Sequence, residues 1–308
     1  MKIQKSITNF YNKMSNVGKI LLFISLLLIL VVFFKKIQIK EGYEQNDKFL
    51  FKTGVDLYDE FYSDIYDYLV FNNLKDDYEV GAIVNNTKPT EESIILDIGS
   101  GTGHHVSKLS EQGLNVLGID ISQSMVKKAK ENFPQYRFEH GDAIDHSRFN
   151  NNSFTHILCL YFTIYYMKDK QAFFYNCMDW LMPGGFLIIH LVERDRFDPI
   201  LPPGNPLYIV SPQKYAKERI TKTKVIFNDF EYTSNFNIEP LTDTNIAIFD
   251  EKFKFKNGKV RKQEHKLYME PHEDILVMAQ NAGFIIQGIV DLIKCAYENQ
   301  YLYILVKA

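Results

Sequence analysis

The sequence predicts an α/β fold built around a mostly parallel, doubly wound sheet. Between residues 94 and 192, short apolar runs typical of buried strands alternate with stretches of helical spacing. A glycine-rich turn follows the first of these runs, at the position where ligands approach the main chain in such sheets. With 308 residues, 46% of them hydrophobic and 24% charged, the chain can also bury a sizeable core.

Each element follows from the spacing of the apolar residues. Leu57, Phe61, Ile65 and Leu69 lie four apart and predict an amphipathic helix over 55–71. Ser122 is a suitable N-cap for a helix that begins at residue 123. The predicted strands are 94–96, 116–119, 136–138, 157–161, 186–192, 284–290 and 301–306, and the remaining helices are 104–112, 123–132, 168–181 and 271–282.

The stretch 193–270 interrupts this alternation. Its helical periodicity fades, and two alternating runs, 246–255 and 260–268, flank the dipeptide Asn257-Gly258. Asn-Gly between alternating runs is the strongest short-range hairpin signal. The sequence therefore predicts an antiparallel β insertion after the fifth strand, acting as a lid over an acceptor pocket.

The N-terminal stretch is of a different kind. Residues 20–34 read ILLFISLLLILVVFF, which is apolar on every side of a helix and, with snorkelling lysines at both ends, long enough for a short membrane anchor. A cleaved signal peptide is the alternative, but Phe33, Phe34 and Lys35 stand where small residues would precede a cleavage site. The predicted organisation is a tail over 1–16, a transmembrane helix over 17–34, a linker over 35–51 and a domain over 52–308.

The glycine-rich turn carries the clearest chemistry. It reads Asp97-Ile98-Gly99-Ser100-Gly101-Thr102-Gly103. The dinucleotide-binding fingerprint G-x-G-x-x-G would need its third glycine at position 104, where this chain has histidine. It also lacks the Lys-Ser/Thr of a phosphate-binding loop. A carboxylate beside this turn would repel a pyrophosphate but suits a ligand with an ammonium and a sulfonium.

This loop resembles the first motif of class I S-adenosylmethionine-dependent methyltransferases. Gly118-Ile119-Asp120 at the second strand's end, Gly141-Asp142-Ala143 after the third strand and Pro183-Gly184-Gly185 before the fifth also match that family. The resemblance implies a Rossmann-like sheet of seven strands with an antiparallel last strand, and S-adenosylmethionine as cofactor. Asp120 would accept hydrogen bonds from the ribose hydroxyls, and Asp142 would meet the adenine amino group. The cofactor-binding residues so predicted are Asp97, Gly99, Ser100, Gly101, Gly103, Asp120, Ile121, Met125, Asp142, Ala143 and Cys159.

Catalytic candidates follow from position at the carboxyl ends of the strands. They are Tyr161, Tyr165 and Tyr166 after the fourth strand and His190 near the end of the fifth, and Tyr161, Tyr165 and His190 are the ones predicted to be catalytic. Methyl transfer from a sulfonium can depend largely on alignment, so a base would assist only where the acceptor must lose a proton. The three scattered cysteines resemble no metal site, and no metal is expected.

The acceptor class is narrowed mainly by what is missing. A formal net charge of −3 with no basic stripe disfavours nucleic acid. Cys159-Leu160-Tyr161-Phe162 also replaces the Asp/Asn-Pro-Pro-Tyr of many base-amino methyltransferases. We expect a small amine, carboxylate or hydroxyl compound as acceptor. A lipid or quinone-like acceptor, and an inactive scaffold tethered to a membrane, are the alternatives.

Topology follows from the cofactor rather than from charge. Lysines flank the apolar stretch equally on both sides, so the Lys/Arg asymmetry rule gives no orientation. Since S-adenosylmethionine is made in the cytosol, a single-pass protein with its catalytic domain facing the cytosol is expected, and three unpaired cysteines agree with a reducing compartment.

Overall fold

The structure is a computed structural model that describes residues 15, 18–19, 22–25, 48–200, 212–238 and 245–308. The chain divides into two compact units, Met1–Asn46 and Asp47–Ala308. Everything below concerns the second unit.

Its strands are β1 Phe49–Thr53, β2 Ile94–Ile98, β3 Asn115–Asp120, β4 Arg137–His140, β5 Phe154–Cys159, β6 Leu181–Val192, β7 Lys222–Ile226, β8 Phe230–Ile238, β9 Ile246–Phe255, β10 Val260–Tyr268, β11 Phe284–Asp291 and β12 Gln300–Lys307. Its α-helices are α1 Glu60–Val70, α2 Asn73–Thr87, α3 His104–Ser110, α4 Gln123–Asn132, α5 Thr163–Tyr166, α6 Lys170–Trp180 and α7 His272–Asn281.

The main sheet has seven strands in the order β11-β12-β6-β5-β2-β3-β4. Strand β12 runs antiparallel to both of its neighbours, and the pairs among β6, β5, β2, β3 and β4 are parallel. The predicted seven-stranded sheet with an antiparallel last strand is therefore confirmed. Because the carboxyl ends of β2, β3 and β5 meet at one edge, the residues that follow these strands lie close together.

Helices cover both faces of this sheet, as expected for a sheet buried on two sides. One apolar cluster includes Trp180, Phe173 and Leu187, and another includes Ile95 and Val106, all at most 2% exposed. The predicted N-cap of α4 is confirmed, since the Ser122 hydroxyl accepts a hydrogen bond of 3.1 Å from the Met125 N–H.

A second sheet of five strands, in the order β1-β10-β9-β8-β7, contains the predicted insertion. Strands β9 and β10 have the predicted bounds and form the predicted hairpin at Asn257-Gly258. The pairing of β1 with β10 is parallel and was not predicted. Residues 49–51, assigned to a linker, thus belong to a strand, and the folded unit begins before residue 52.

The region before the main sheet also differs from the prediction. The single helix predicted over 55–71 is a 3-10 turn at Gly54–Leu57 followed by α1. Helix α2 was missed altogether. Its buried face begins with the charged residues Lys75, Asp76 and Glu79 and becomes apolar only at Val80 and Ile83, so the first half of the helix shows no apolar periodicity in the sequence.

The transmembrane helix predicted over 17–34 lies mostly outside the described residues. Within the parts of the chain that the structure describes, every helix is too short or too polar to span a bilayer.

Candidate functional site

A cavity of about 590 Å³ lies between the carboxyl edge of the main sheet and the five-stranded sheet. Asp120 and Asp142 line it from the main sheet, and Tyr232, Glu251 and His265 line it from the insertion. One space thus contacts both a predicted cofactor edge and the predicted lid. Of the predicted cofactor residues, those that line it are Gly99, Gly101, Asp120, Ile121, Met125, Asp142 and Ala143.

The glycines of the turn serve two different needs. Gly101 has φ of 53°, and a Cβ there would meet only Tyr66, at 3.9 Å, so its main chain faces open space that a ligand can fill. Gly103 lines neither this cavity nor the smaller one beside it. A Cβ at Gly103 would come within 2.7 Å of the Phe138 ring, so packing, rather than contact with a ligand, requires this glycine.

Asp120 ends β3 with its carboxylate at the edge of the cavity. One oxygen accepts a hydrogen bond of 3.0 Å from the Gly101 N–H, and the other accepts one of 2.8 Å from the Ser122 N–H. Burial raises the pKa of Asp120 above its usual value, although these two bonds oppose the rise. Each oxygen keeps a further lone pair, so the group can still accept from a vicinal diol.

Asp97 lies behind the turn and lines a smaller cavity of about 80 Å³, which shares Gly99, Gly101 and Tyr161 with the larger one. Burial raises the pKa of Asp97 to about 7. Ser100 lines the same small cavity, and its hydroxyl is, within the described part of the chain, buried without a hydrogen-bond partner. An orphaned buried hydroxyl beside a buried carboxyl fits a ligand that carries an ammonium and a carboxylate.

Asp76 and His105 also line this small cavity, and one carboxylate oxygen each of Asp76 and Glu79 and one ring nitrogen of His105 lie within 4.8 Å of one another. The Lys75 ammonium lies 2.6 Å from Glu79, and the His105 ring lies 2.9 Å from the other oxygen of Glu79. The group is therefore a buried ion-pair network that supports the turn from behind.

Besides Gly103, three predicted site residues line neither cavity. Cys159 is 0% exposed. The Tyr165 hydroxyl accepts a hydrogen bond of 2.8 Å from the Val192 N–H, which ties α5 to the main sheet. His190 is also 0% exposed, and burial, followed by the charge of Lys75, lowers its pKa to about 3, which makes it too weak a base for neutral pH. The structure thus places these three side chains in the core, and their roles in the site stay predictions.

Tyr161 does line both cavities, as its predicted role requires. It has φ of 51°, a left-handed conformation that is uncommon for a bulky residue. Such strain concentrates at functional sites, and here it turns the chain just after β5.

The site residues that the sequence reasoning missed lie opposite the turn. They are Tyr58, Tyr62, Tyr66, Tyr232, Glu251 and His265, all lining the large cavity, which is also lined by the positional candidate Tyr166. One signal was Glu251, which stands between Phe249 and Phe253 on the apolar face of a predicted strand. The other was the polar series Arg261, Gln263 and His265, at alternate positions of the next predicted strand. Alternation alone does not show which face is buried when both faces are polar.

Comparison with known proteins agrees with this geometry. Residues 95–185 match the family described as Methyltransferase domain. The chain is 23% identical over 140 residues to dTDP-3-amino-3,4,6-trideoxy-alpha-D-glucopyranose N,N-dimethyltransferase of Streptomyces venezuelae, covering 43% of this chain and 58% of that protein. It is 30% identical over 139 residues to dTDP-4-amino-2,3,4,6-tetradeoxy-D-glucose N,N-dimethyltransferase of Saccharopolyspora spinosa, covering 43% of this chain and 55% of that protein. The matched region thus spans little more than half the length of these relatives.

The fold is similar to that of the CcbJ methyltransferase from Streptomyces caelestis, with a TM-score of 0.60 and 14% identity over 82% of this chain and 98% of that one. At this identity the likeness concerns the fold alone. Residues 95–185 thus match a methyltransferase domain, and the fold around them is similar to that of a solved methyltransferase.

Proposed function

We propose that this chain transfers the methyl group of S-adenosylmethionine to a small-molecule acceptor. The observation that supports this most directly is the single cavity that joins Asp120 and Asp142 on one side to Glu251 and His265 on the other. Cofactor and acceptor can thereby occupy adjacent parts of one space, as an in-line displacement requires.

The chain's own residues supply binding and alignment. The cofactor, when bound, supplies a methyl carbon already activated by a sulfonium. Asp120 would accept from the ribose hydroxyls and Asp142 would meet the adenine, while Asp97 and Ser100 would hold the amino-acid end. The Asn176 side chain donates two hydrogen bonds of 3.0 Å to the carbonyls of Ala143 and Ile144, which fixes the loop beside the adenine position.

Two relatives named as aminosugar N,N-dimethyltransferases support a small amine among the acceptor classes. A lipid or quinone-like acceptor is the alternative that the apolar stretch 17–34 favours, and an inactive tethered scaffold is the other. We further propose that this stretch anchors the protein in a membrane with the methyltransferase domain in the cytosol. Protease added to vesicles with their cytosolic face outward should digest the domain, and protection would reverse the topology.

Calorimetry with S-adenosylmethionine tests the function at its first step. We expect saturable binding with one site per chain, whereas an inactive scaffold would give no heat. Pools of small amines, carboxylic acids, hydroxyl compounds and lipids, each incubated with methyl-labelled cofactor, then identify the acceptor class. Label confined to the lipid pool would contradict the small-molecule assignment.

We expect cofactor affinity to depend on pH through Asp97. Below a pKa of about 7 the free Asp97 carboxyl is protonated, whereas the ligand's ammonium favours the carboxylate. Affinity should therefore rise up to about tenfold per pH unit from pH 5.5 to 7 and level off above pH 8. Calorimetry across this range measures it. Asp97→Asn should remove the dependence, and 5′-methylthioadenosine, which lacks the amino-acid end, should show none with either protein. An unchanged slope in Asp97→Asn would assign the dependence elsewhere.

A further inference from the structure

Three side chains on the acceptor side of the cavity form one hydrogen-bonded chain. The Tyr166 hydroxyl lies 2.6 Å from His265 Nδ1, and His265 Nε2 lies 2.7 Å from Glu251 Oε2. Tyr166 comes from α5, His265 from β10 and Glu251 from β9, so the chain exists only when the five-stranded sheet packs on the main one. All three residues line the large cavity.

The direction of each hydrogen bond follows from Glu251. Burial opposes ionisation of this group, but the neighbouring His265 and hydrogen bonds from His265, Tyr232 and Gln263 together lower its pKa below the usual value. An ionised carboxylate only accepts, so His265 Nε2 carries a proton. In a neutral ring Nδ1 then accepts, and the Tyr166 hydroxyl donates to it.

The surroundings bury two of the three members of this chain, whereas Tyr166 is 37% exposed at the cavity. Glu251 and His265 are each 1% exposed. The titratable groups around the His265 ring are Glu251, Tyr58, Tyr62 and Tyr166, with the tyrosine rings centred 5.8 to 6.0 Å away. Phe249 packs on the ring at 5.2 Å. Burial raises the pKa values of Tyr58, Tyr62 and Tyr166, so all three remain protonated donors at neutral pH.

We propose that Tyr166, His265 and Glu251 are a proton relay that activates the acceptor, and that the acceptor is a primary or secondary amine which enters as its ammonium. This inference rests on the proposed methyltransferase function. Tyr166 is then a catalytic residue that touches the acceptor nitrogen, His265 receives the proton, and Glu251 is a positioning residue that acts through His265.

The relay balances atoms and charge. Tyr166 Oη takes a proton from the acceptor ammonium as its own hydroxyl proton moves to His265 Nδ1. His265 becomes an imidazolium that donates to both Tyr166 and Glu251. The freed nitrogen lone pair forms the new N–C bond to the methyl carbon, and the old C–S bond breaks with its electron pair on sulfur. The products are the methylated ammonium and S-adenosylhomocysteine, and His265 later returns one proton to solvent.

Proton affinities favour an amine over a hydroxyl compound. The pKa of an alkylammonium is about four units above that of an ordinary imidazolium. The pKa of water, which serves as a guide to hydroxyl compounds, is about nine units above it. A His-Glu pair can therefore take a proton from an ammonium at modest cost. Aromatic walls and a buried carboxylate also attract a cation, which a neutral alcohol would not exploit.

The first test needs no acceptor. ¹⁵N NMR of the His265 ring, assigned by comparison with His265→Gln, is measured at pH 8 in the full chain bound to S-adenosylhomocysteine. We expect a proton on Nε2 and none on Nδ1, and Glu251→Gln should lose this preference for one tautomer. An Nδ1–H tautomer or an imidazolium in the unaltered protein would overturn the relay.

Choline and its neutral isostere 3,3-dimethylbutan-1-ol test the acceptor class on the same complex. Choline should bind at least tenfold more tightly, and equal affinity would overturn the assignment to amines. With labelled cofactor, label should appear in the amine pool. Label in the hydroxyl pool alone would also overturn the assignment to amines.

Variants test the relay in turnover on the labelled amine. Tyr166→Phe and His265→Gln should each lower kcat by about 10²-fold or more, since general base catalysis contributes that much. Glu251→Gln should lower kcat with little change in KM. Tyr68→Phe, at a residue that is 73% exposed, and His272→Gln on α7 are matched controls expected to stay within twofold. Retention of kcat within threefold in Tyr166→Phe and His265→Gln would overturn the relay. Calorimetry distinguishes failure of the relay from failure of the proposed methyltransferase function. If the variants bind S-adenosylmethionine like the unaltered protein, the proposed function is not contradicted.

Discussion

Replacing Arg261 with methionine is expected to lower the free energy of unfolding by about 2–4 kcal/mol. Arg261 lies on β10, is 2% exposed and donates to both oxygens of Asp59, at 2.9 and 2.8 Å. It also donates 2.9 Å hydrogen bonds to the Leu57 carbonyl and to Gln263, and lies 4.8 Å from the centre of the Phe61 ring. Methionine keeps much of the volume but leaves these acceptors without their donor. The loss is below that of a fully buried pair because Asp59 is 32% exposed.

Urea unfolding measures this effect as a shift of the midpoint at constant slope. Lys52→Met is the matched control, since Lys52 pairs with the same Asp59 at 3.6 Å but is 28% exposed. We expect it to cost at most about 1 kcal/mol. A cost for Arg261→Met no larger than that of the control would show that Arg261 does not hold β10 to the segment before α1.

Asp120→Ala is expected to weaken binding of S-adenosylhomocysteine by about 1–3 kcal/mol, or roughly 5- to 150-fold. Loss of the carboxylate would leave two ribose hydroxyls unpaired. It would also remove the acceptor of the Gly101 and Ser122 N–H groups. Asp120→Asn keeps one acceptor oxygen, so its affinity should lie between those of the unaltered protein and Asp120→Ala. Asp179→Ala, an exposed acid paired with His146 away from the cavity, should bind like the unaltered protein.

A ligand pair separates the ribose contact from damage to the turn. The unaltered protein should prefer S-adenosylhomocysteine to its 2′,3′-dideoxy analogue, and Asp120→Ala should lose most of that preference. If the variant discriminates between the two ligands as strongly as the unaltered protein, Asp120 does not bind the ribose.

The sequence by itself determined the main sheet and the cofactor half of the site. Asp97, the glycines of the turn, Asp120 and Asp142 follow successive strands. Because carboxyl ends of neighbouring parallel strands meet at one edge, strand order along the chain is enough to bring these residues together. The hairpin at Asn257-Gly258 was predictable for a similarly local reason, since a two-residue turn fixes its own pairing.

Only the tertiary structure decided which side chains line the proposed acceptor side of the cavity. His265 lies in a strand with polar residues on both faces, so no pattern showed that it points inward, whereas Glu251 shares the apolar face of β9 with Phe249 and Phe253. Tyr166 meets them only because the five-stranded sheet packs on the main sheet, with 99 positions between Tyr166 and His265. The same packing buries Cys159, Tyr165 and His190 outside the lining of both cavities, since position near a strand end does not show whether a side chain faces the cavity or the core. Strand β1 and the charged buried face of α2 were missed because both depend on contacts with distant segments rather than on local periodicity.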